Sequence, residues 1–123
     1  MSQSPAYLQT KVIEIDSPSN NSFIDLSAPA YGLPKNLHFY GLTSNTIIDG
    51  SCTGYQEFYD GGSGSALLSF DIHSDNFGFV HILRPFSSFM EEDSYLQILS
   101  GLNLYFNEPA GNVSYCSLTV FYK

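Results

Sequence analysis

The sequence predicts an all-β fold: an antiparallel two-sheet sandwich, jelly-roll-like, of about nine strands with at most one short helical turn. Three observations carry this expectation. Short runs of alternating apolar and polar residues recur at intervals of roughly 8–12 residues, most of them closed by Gly, Pro, Asn or Asp. No stretch holds a helical period long enough to compete. The segment from Tyr95 to Tyr122 reads directly as strand, turn, strand, loop and strand, an antiparallel meander. In its last strand Cys116, Leu118, Val120 and Tyr122 share one face, while Tyr115, Ser117, Thr119 and Phe121 make the other face mixed. One face is therefore core and the other half-wet or covered.

The 123 residues suffice for one domain that buries roughly two-thirds of the surface its unfolded chain exposes. The expected division is an N-terminal arm, residues 1–6, followed by a single β-sandwich domain, residues 7–123. The arm is polar and carries Pro5, so it frays unless something holds it.

In chain order, Leu8 to Ile15 is a first strand with Lys11, Ile13 and Ile15 on one side and Val12 and Glu14 on the other. The turn cluster from Asp16 to Asn21 stops it. Phe23 to Ser27 is a short strand, and Ala28 to Lys35 is a loop because Pro29 and Pro34 lack amide donors. Leu37 to Leu42 follows, and a further run from Thr46 ends at the turn dipeptide Asp49 and Gly50. Tyr55 to Tyr59 leads into the Gly/Ser tract from Asp60 to Ser65, a loop or hairpin tip. Ala66 to His73, with Leu68, Phe70 and Ile72 on one face, and Phe77 to Leu83 are expected to form a tight hairpin across Ser74, Asp75 and Asn76. Arg84 and Pro85 then end the strand. Ser88 and Glu91 have capping-box spacing, which predicts one helical turn over Phe89 to Asp93.

Charge narrows the partners. The net charge is −8 and the basic residues are Lys11, Lys35, Arg84 and Lys123 alone. Such a chain has no footprint for neutralising phosphates, so nucleic acid and anionic membrane are excluded as expected partners. The segment from Met1 to Tyr7 has neither the charged start nor the apolar centre of a secretory signal, which predicts cytoplasmic synthesis and use, or carriage as part of an assembly. Cys52 and Cys116 are accordingly expected as free thiols, Cys116 as a small core residue and Cys52 in a loop or at a strand end. The glycosylation triplets at Asn20 and Asn112 are then chance matches.

Candidate chemistry is sparse. Asp71, His73 and Asp75 alternate like the opening of a calcium loop, but Asn76 stands where its glycine belongs and Ile82 where its closing Glu belongs. His38, His73 and His81 suit zinc only if their strands converge, and the chain has no His-x-His pair. No nucleophile elbow or phosphate-cradling glycine pattern occurs; Gly62 to Ser65 is linker-like. Glu91, Glu92 and Asp93 read as a solvated first helical turn, not as paired acid catalysts. No catalytic, cofactor or metal residues are therefore assigned, and the expectation is a protein without enzymatic activity. Ten Phe and nine Tyr exceed what one small interior takes, so some rings must lie outside and mark an interface.

The arm of Met1, Ser2, Gln3, Ser4, Pro5, Ala6 and Tyr7, with turn-rich strands ending in Ser117 to Lys123, resembles small bacteriophage virion proteins, above all capsid decoration or cement proteins. That resemblance implies a virion subunit, a homo-oligomer and most simply a trimer, which stabilises an assembled particle by contacting its major structural protein. It places the partner interface on residues Met1 to Tyr7. The alternative reading is a carbohydrate-binding, lectin-like or receptor-binding β-sandwich, using the loops Asp16 to Asn21, Asp49 to Tyr55 and Asp60 to Ser65.

Overall fold

A computed structural model describes residues 8–74, 78–85, 95–108 and 112–123. Every regular element among them is a strand: β1 (Gln9–Asp16), β2 (Phe23–Asp25), β3 (Leu37–Asp49), β4 (Cys52–Asp60), β5 (Leu68–Ser74), β6 (Gly78–Pro85), β7 (Leu96–Ile98), β8 (Leu102–Asn107) and β9 (Asn112–Tyr122). They form two antiparallel sheets. The first runs β1-β9-β3-β6, with the three-residue β7 also paired to β3, and the second runs β2-β8-β4-β5. The expected all-β, two-sheet architecture is thus present.

Alternation decides which side chains meet between the sheets. In β9, Cys116, Leu118 and Val120 are fully buried and Tyr122 nearly so, while the intervening residues are half-exposed. In β1, Ile13 and Ile15 are buried and Val12 is 62% exposed. The second sheet supplies Phe58, Ile72, Leu102, Leu104 and Phe106, and Leu26 and Leu33 close the core from the connection after β2. Each such side chain stabilises the fold by roughly 1.5–3 kcal/mol through removal from water.

Four sequence expectations are corrected. The run from Tyr95 to Tyr122 is not a meander: β7 joins β3, β8 lies between β2 and β4 in the other sheet, and β9 lies between β1 and β3. Ser100 and Gly101 therefore make a corner between sheets, not a hairpin turn. Its geometry explains why. Gly101 has φ of 90°, its N–H donates to the Lys35 carbonyl at 3.0 Å, and its carbonyl accepts from Gly61 N at 2.8 Å. The Asp60 carboxylate accepts from the amides of Leu99 and Ser100 at 3.2 and 2.7 Å. Secondly, β5 and β6 pair with β4 and β3, in different sheets, so they do not form the expected hairpin; residues 75–77 lie outside the described residues. The hairpin that does form is β4 with β5, across the Gly/Ser loop.

Thirdly, Leu37 to Leu42 and Thr46 to Asp49 are one strand, β3, with a register shift between Phe39 and Gly41. Ser44 and Thr46 interrupt its apolar alternation, yet both point inward. Gln56 of β4 donates through Nε2 to Ser44 Oγ at 2.8 Å and accepts through Oε1 from Thr46 Oγ1 at 3.0 Å. This satisfied bridge ties the sheets together, and all three residues are fully buried. Cys116 sits against it, 3.6 Å from Thr46 Oγ1 and 3.7 Å from Gln56 Nε2. Fourthly, the strand expected to stop at Leu83 runs on through Arg84 to Pro85, which pair with Leu42 and Gly41. Edge strand β6 tolerates a residue without an amide donor. The helical turn expected over Phe89 to Asp93, with its capping pair Ser88 and Glu91, lies outside the described residues.

Candidate functional site

The outer face of the second sheet gathers the rings that the core does not use. In β4 the inward Gln56 and Phe58 leave Tyr55, Glu57 and Tyr59 pointing out; in β8 the inward Leu104 and Phe106 leave Asn103, Tyr105 and Asn107. Register arranges these in rows across the strands. Phe23, Tyr105, Glu57 and Ser69 form the middle row, flanked by Asp25, Asn103 and Tyr59 on one side and by Asn107, Tyr55 and Asp71 on the other. Strands about 4.8 Å apart and rows about 7 Å apart make this a patch roughly 14 Å across each way.

Three rings lock together at its centre. Phe23 lies 4.9 Å from Tyr59 and 4.6 Å from Tyr105, and Tyr59 meets Tyr105 edge-on at 5.7 Å. Edge and tilted contacts of this kind hold the rings rigid beyond simple burial. Phe23 remains 40% exposed and Tyr55 47%, so the patch is open. Among the rings, on the same face, Glu57 is only 8% exposed. Its carboxylate accepts from the Tyr59 hydroxyl at 3.1 Å and from Ser69 Oγ at 3.1 Å, one bond to each oxygen. Burial, then the hydrogen bond to Glu57 and its charge, raise the Tyr59 pKa above the usual 10.0.

A second concavity lies at the end of the sandwich where two predicted loops converge. Ser17, Pro18, Ser19 and Asn20 from the β1–β2 loop, Asp49 at the end of β3, and Val113 and Ser114 of β9 enclose about 480 Å³. Ser17 adopts φ of 46°, held there by its amide hydrogen bond to the Ser114 carbonyl at 2.9 Å. The lining combines hydroxyls, an amide and one carboxylate with the apolar Pro18 and Val113, and holds no aromatic ring.

Other sequence candidates are dispersed. His38 stacks on Tyr95 at 4.2 Å between ring centres. His81 pairs in register with Asn45, seven residues further along β3, roughly 20 Å from His38. His73 lies on β5 in the other sheet, so the register does not bring the three backbone positions together. Asp71 and His73 sit in a regular edge strand, not a calcium loop. Among the described residues no three His, Cys, Asp or Glu side chains cluster in a way that could hold a metal ion. Cys52 and Cys116 are both buried free thiols. Residues Met1 to Tyr7, Asp75 and Glu91 to Asp93 lie outside the described residues.

Sequence reasoning missed Phe23, Glu57, Tyr59 and Tyr105 as a unit. The available signal was parity: in the runs 55–59 and 102–106 a Tyr occupies the positions opposite to the core set. Which strands lie side by side was the missing information. Among the described residues no helix is long and apolar enough to cross a membrane. Compared with known proteins, the chain matches no family model and no curated sequence.

Proposed function

We propose that this chain is a non-enzymatic structural protein that docks through the outer face of its second sheet, as a virion subunit of the decoration or cement kind stabilising an assembled particle. The carrying observation is the interlocked cluster of Phe23, Tyr59 and Tyr105, open to solvent and flanked by Tyr55. Aromatic residues held in fixed rotamers are the usual anchors of protein interfaces, because ordering them on binding costs little. Strand order supports a jelly roll as the finer fold description. Two four-strand paths, β1-β9-β3-β6 and β2-β8-β4-β5, are filled by a chain that changes sheet at nearly every connection. Capsid subunits and lectins both use that architecture, so it is compatible with the reading without selecting it. The polar arm, Met1 to Tyr7, belongs in this reading to the same partner interface, and a trimer is the simplest oligomer for a subunit seated on a shell.

Isolation from the native source tests the proposal. The chain should sediment with a particle, and Phe23→Ala combined with Tyr105→Ala should release it while the isolated domain stays folded. Recovery of the wild-type chain free of any particle would defeat the reading.

A second reading, carbohydrate binding, draws on the polar cleft that joins the loop Ser17 to Asn20 with Asp49. It ranks lower because sugar sites normally stack a ring on the pyranose face, and the cleft lining holds none. Glycan binding by the wild-type chain, lost in Asp49→Ala, would reverse that order.

A further inference from the structure

We propose that the outer face of the second sheet is a receptor for a cationic side chain, an arginine guanidinium or lysine ammonium presented by the partner protein's surface. The inference rests on the docking reading above and assigns the partner's chemistry.

Charge complementarity carries it. The four strands of this sheet contain Asp25, Glu57, Asp60 and Asp71 and no Lys or Arg. All four basic residues of the chain lie elsewhere: Lys11 in β1, Lys35 before β3, Arg84 in β6 and Lys123 after β9. Two of the acids are occupied within the fold, Asp25 by Ser27 and Asp60 by the amides of Leu99 and Ser100. Glu57 and Asp71 are left on the face itself. The Glu57 carboxylate is nearly buried, and its hydrogen-bond partners Tyr59 and Ser69 are neutral. Among the described residues that carboxylate is given no cation of the kind that buried anions ordinarily have.

The rings around it have the matching chemistry. Tyr faces present negative quadrupole density, and a cation over such a face gains more when water is displaced. Tyr55, Tyr59 and Tyr105 flank Glu57 along and across the strands, with exposed Asp71 directly opposite Tyr55 in the next strand. A guanidinium laid on these rings would meet π density beneath it and carboxylate at its edge. The planar, weakly hydrated guanidinium suits this better than ammonium. Burial first, and after it the hydrogen bond and charge of Glu57, raise the Tyr59 pKa.

The test is titration of the full chain with N-acetyl-arginine amide, followed by amide NMR shifts. N-acetyl-citrulline amide, its uncharged isostere, and maltotriose serve as comparisons. The arginine probe should shift amides in residues 55–59, 69–71 and 105, and citrulline should not. Glu57→Gln, which keeps size and one acceptor, should weaken the arginine probe about tenfold. Asp71→Asn, an exposed change that leaves the fold untouched, should weaken it about twofold and reduce its salt sensitivity. Equal binding of citrulline, binding of maltotriose alone, unchanged affinity in both variants, or no shift with arginine would each overturn cation recognition. The two proposals fail separately. Particle attachment lost on ring removal, in a chain that ignores the arginine probe, keeps docking and discards the cation. Attachment insensitive to ring removal, in a chain that binds arginine at Glu57, does the reverse.

Discussion

Cys116 shows what a single buried residue contributes to the behaviour of the whole chain. Its thiol is fully buried beside Gln56, Ser44 and Thr46. Burial pushes its pKa above the ordinary 9.0, and the hydrogen bonds from Thr46, Ser44 and Gln56 only partly counter this. The unfolded chain therefore loses this proton at a lower pH than the folded one. Between those two values the folded state binds more protons, so stability is complete below pH 9 and falls as pH rises beyond it. The slope from one group reaches about 1.4 kcal/mol per pH unit. Tyr59 and Tyr115, whose pKa values are also raised, act in the same direction from pH 10 upward. Urea unfolding at pH 8 and pH 10 should show a loss of stability in the wild-type chain. Cys116→Ala should start less stable, because it leaves a cavity, but decline less steeply over that interval. Parallel decline of the two proteins would show that the thiol does not titrate differently in the folded state.

At the scale of elements, the corner between β7 and β8 separates what alternation can reveal from what it cannot. A side chain built on Gly101 would bring Cβ within 2.6 Å of Ser27 Oγ and 3.0 Å of Asp25 Oδ1, at a φ of +90° that other residues adopt only with strain. Gly101→Ala should thus destabilise the domain by about 1–3 kcal/mol, measured as a fall in the urea midpoint without a change in slope. A loss below about 0.5 kcal/mol would mean that the corner adapts, as ordinary surface positions do. The same corner explains the misreading of the meander. Ser100 and Gly101 mark a turn by composition, and hairpin turns and inter-sheet corners use the same residues. What distinguishes them here is contact with Lys35, Asp60 and Gly61, all distant in sequence. Strand existence and inward faces were legible for β1, β5, β8 and β9 because Ile13, Ile72, Leu104 and Leu118 keep strict alternation. The continuity of β3 was not, because the partner of Ser44 and Thr46 lies on another strand. The ring face was half-legible: Tyr59 and Tyr105 stand out of phase with the core, but only the β4–β8 register places them together.

For the molecule as a whole, the two sheets are interleaved along the chain, and each depends on segments far apart in sequence. β9, residues 112–122, is the central partner that joins β1 to β3, with Ile13 opposite Leu118 on one side and Ser44 opposite Leu118 on the other. Without it β1 has no partner, and the core loses Cys116, Leu118 and Val120. A chain ending at residue 111 should therefore fail to give a cooperative unfolding transition, and supplying residues 112–123 as a separate peptide should restore it. A cooperative transition in the shortened chain alone would show that β1 and β3 can close on each other. The order of synthesis gives this placement a further meaning. Ribosomes deliver the chain N-terminus first, at about 5–20 residues per second, so β1 emerges roughly a hundred residues before β9, its one partner strand among the described residues. Throughout that interval Ile13 and Ile15 lack the strand that lies beside them, and of the first sheet only the β3–β6 and β3–β7 pairs can form. Completion of this sheet should wait for β9 and, being dominated by non-local pairing, be slow, leaving nascent chains dependent on holding factors until β9 has cleared the exit tunnel.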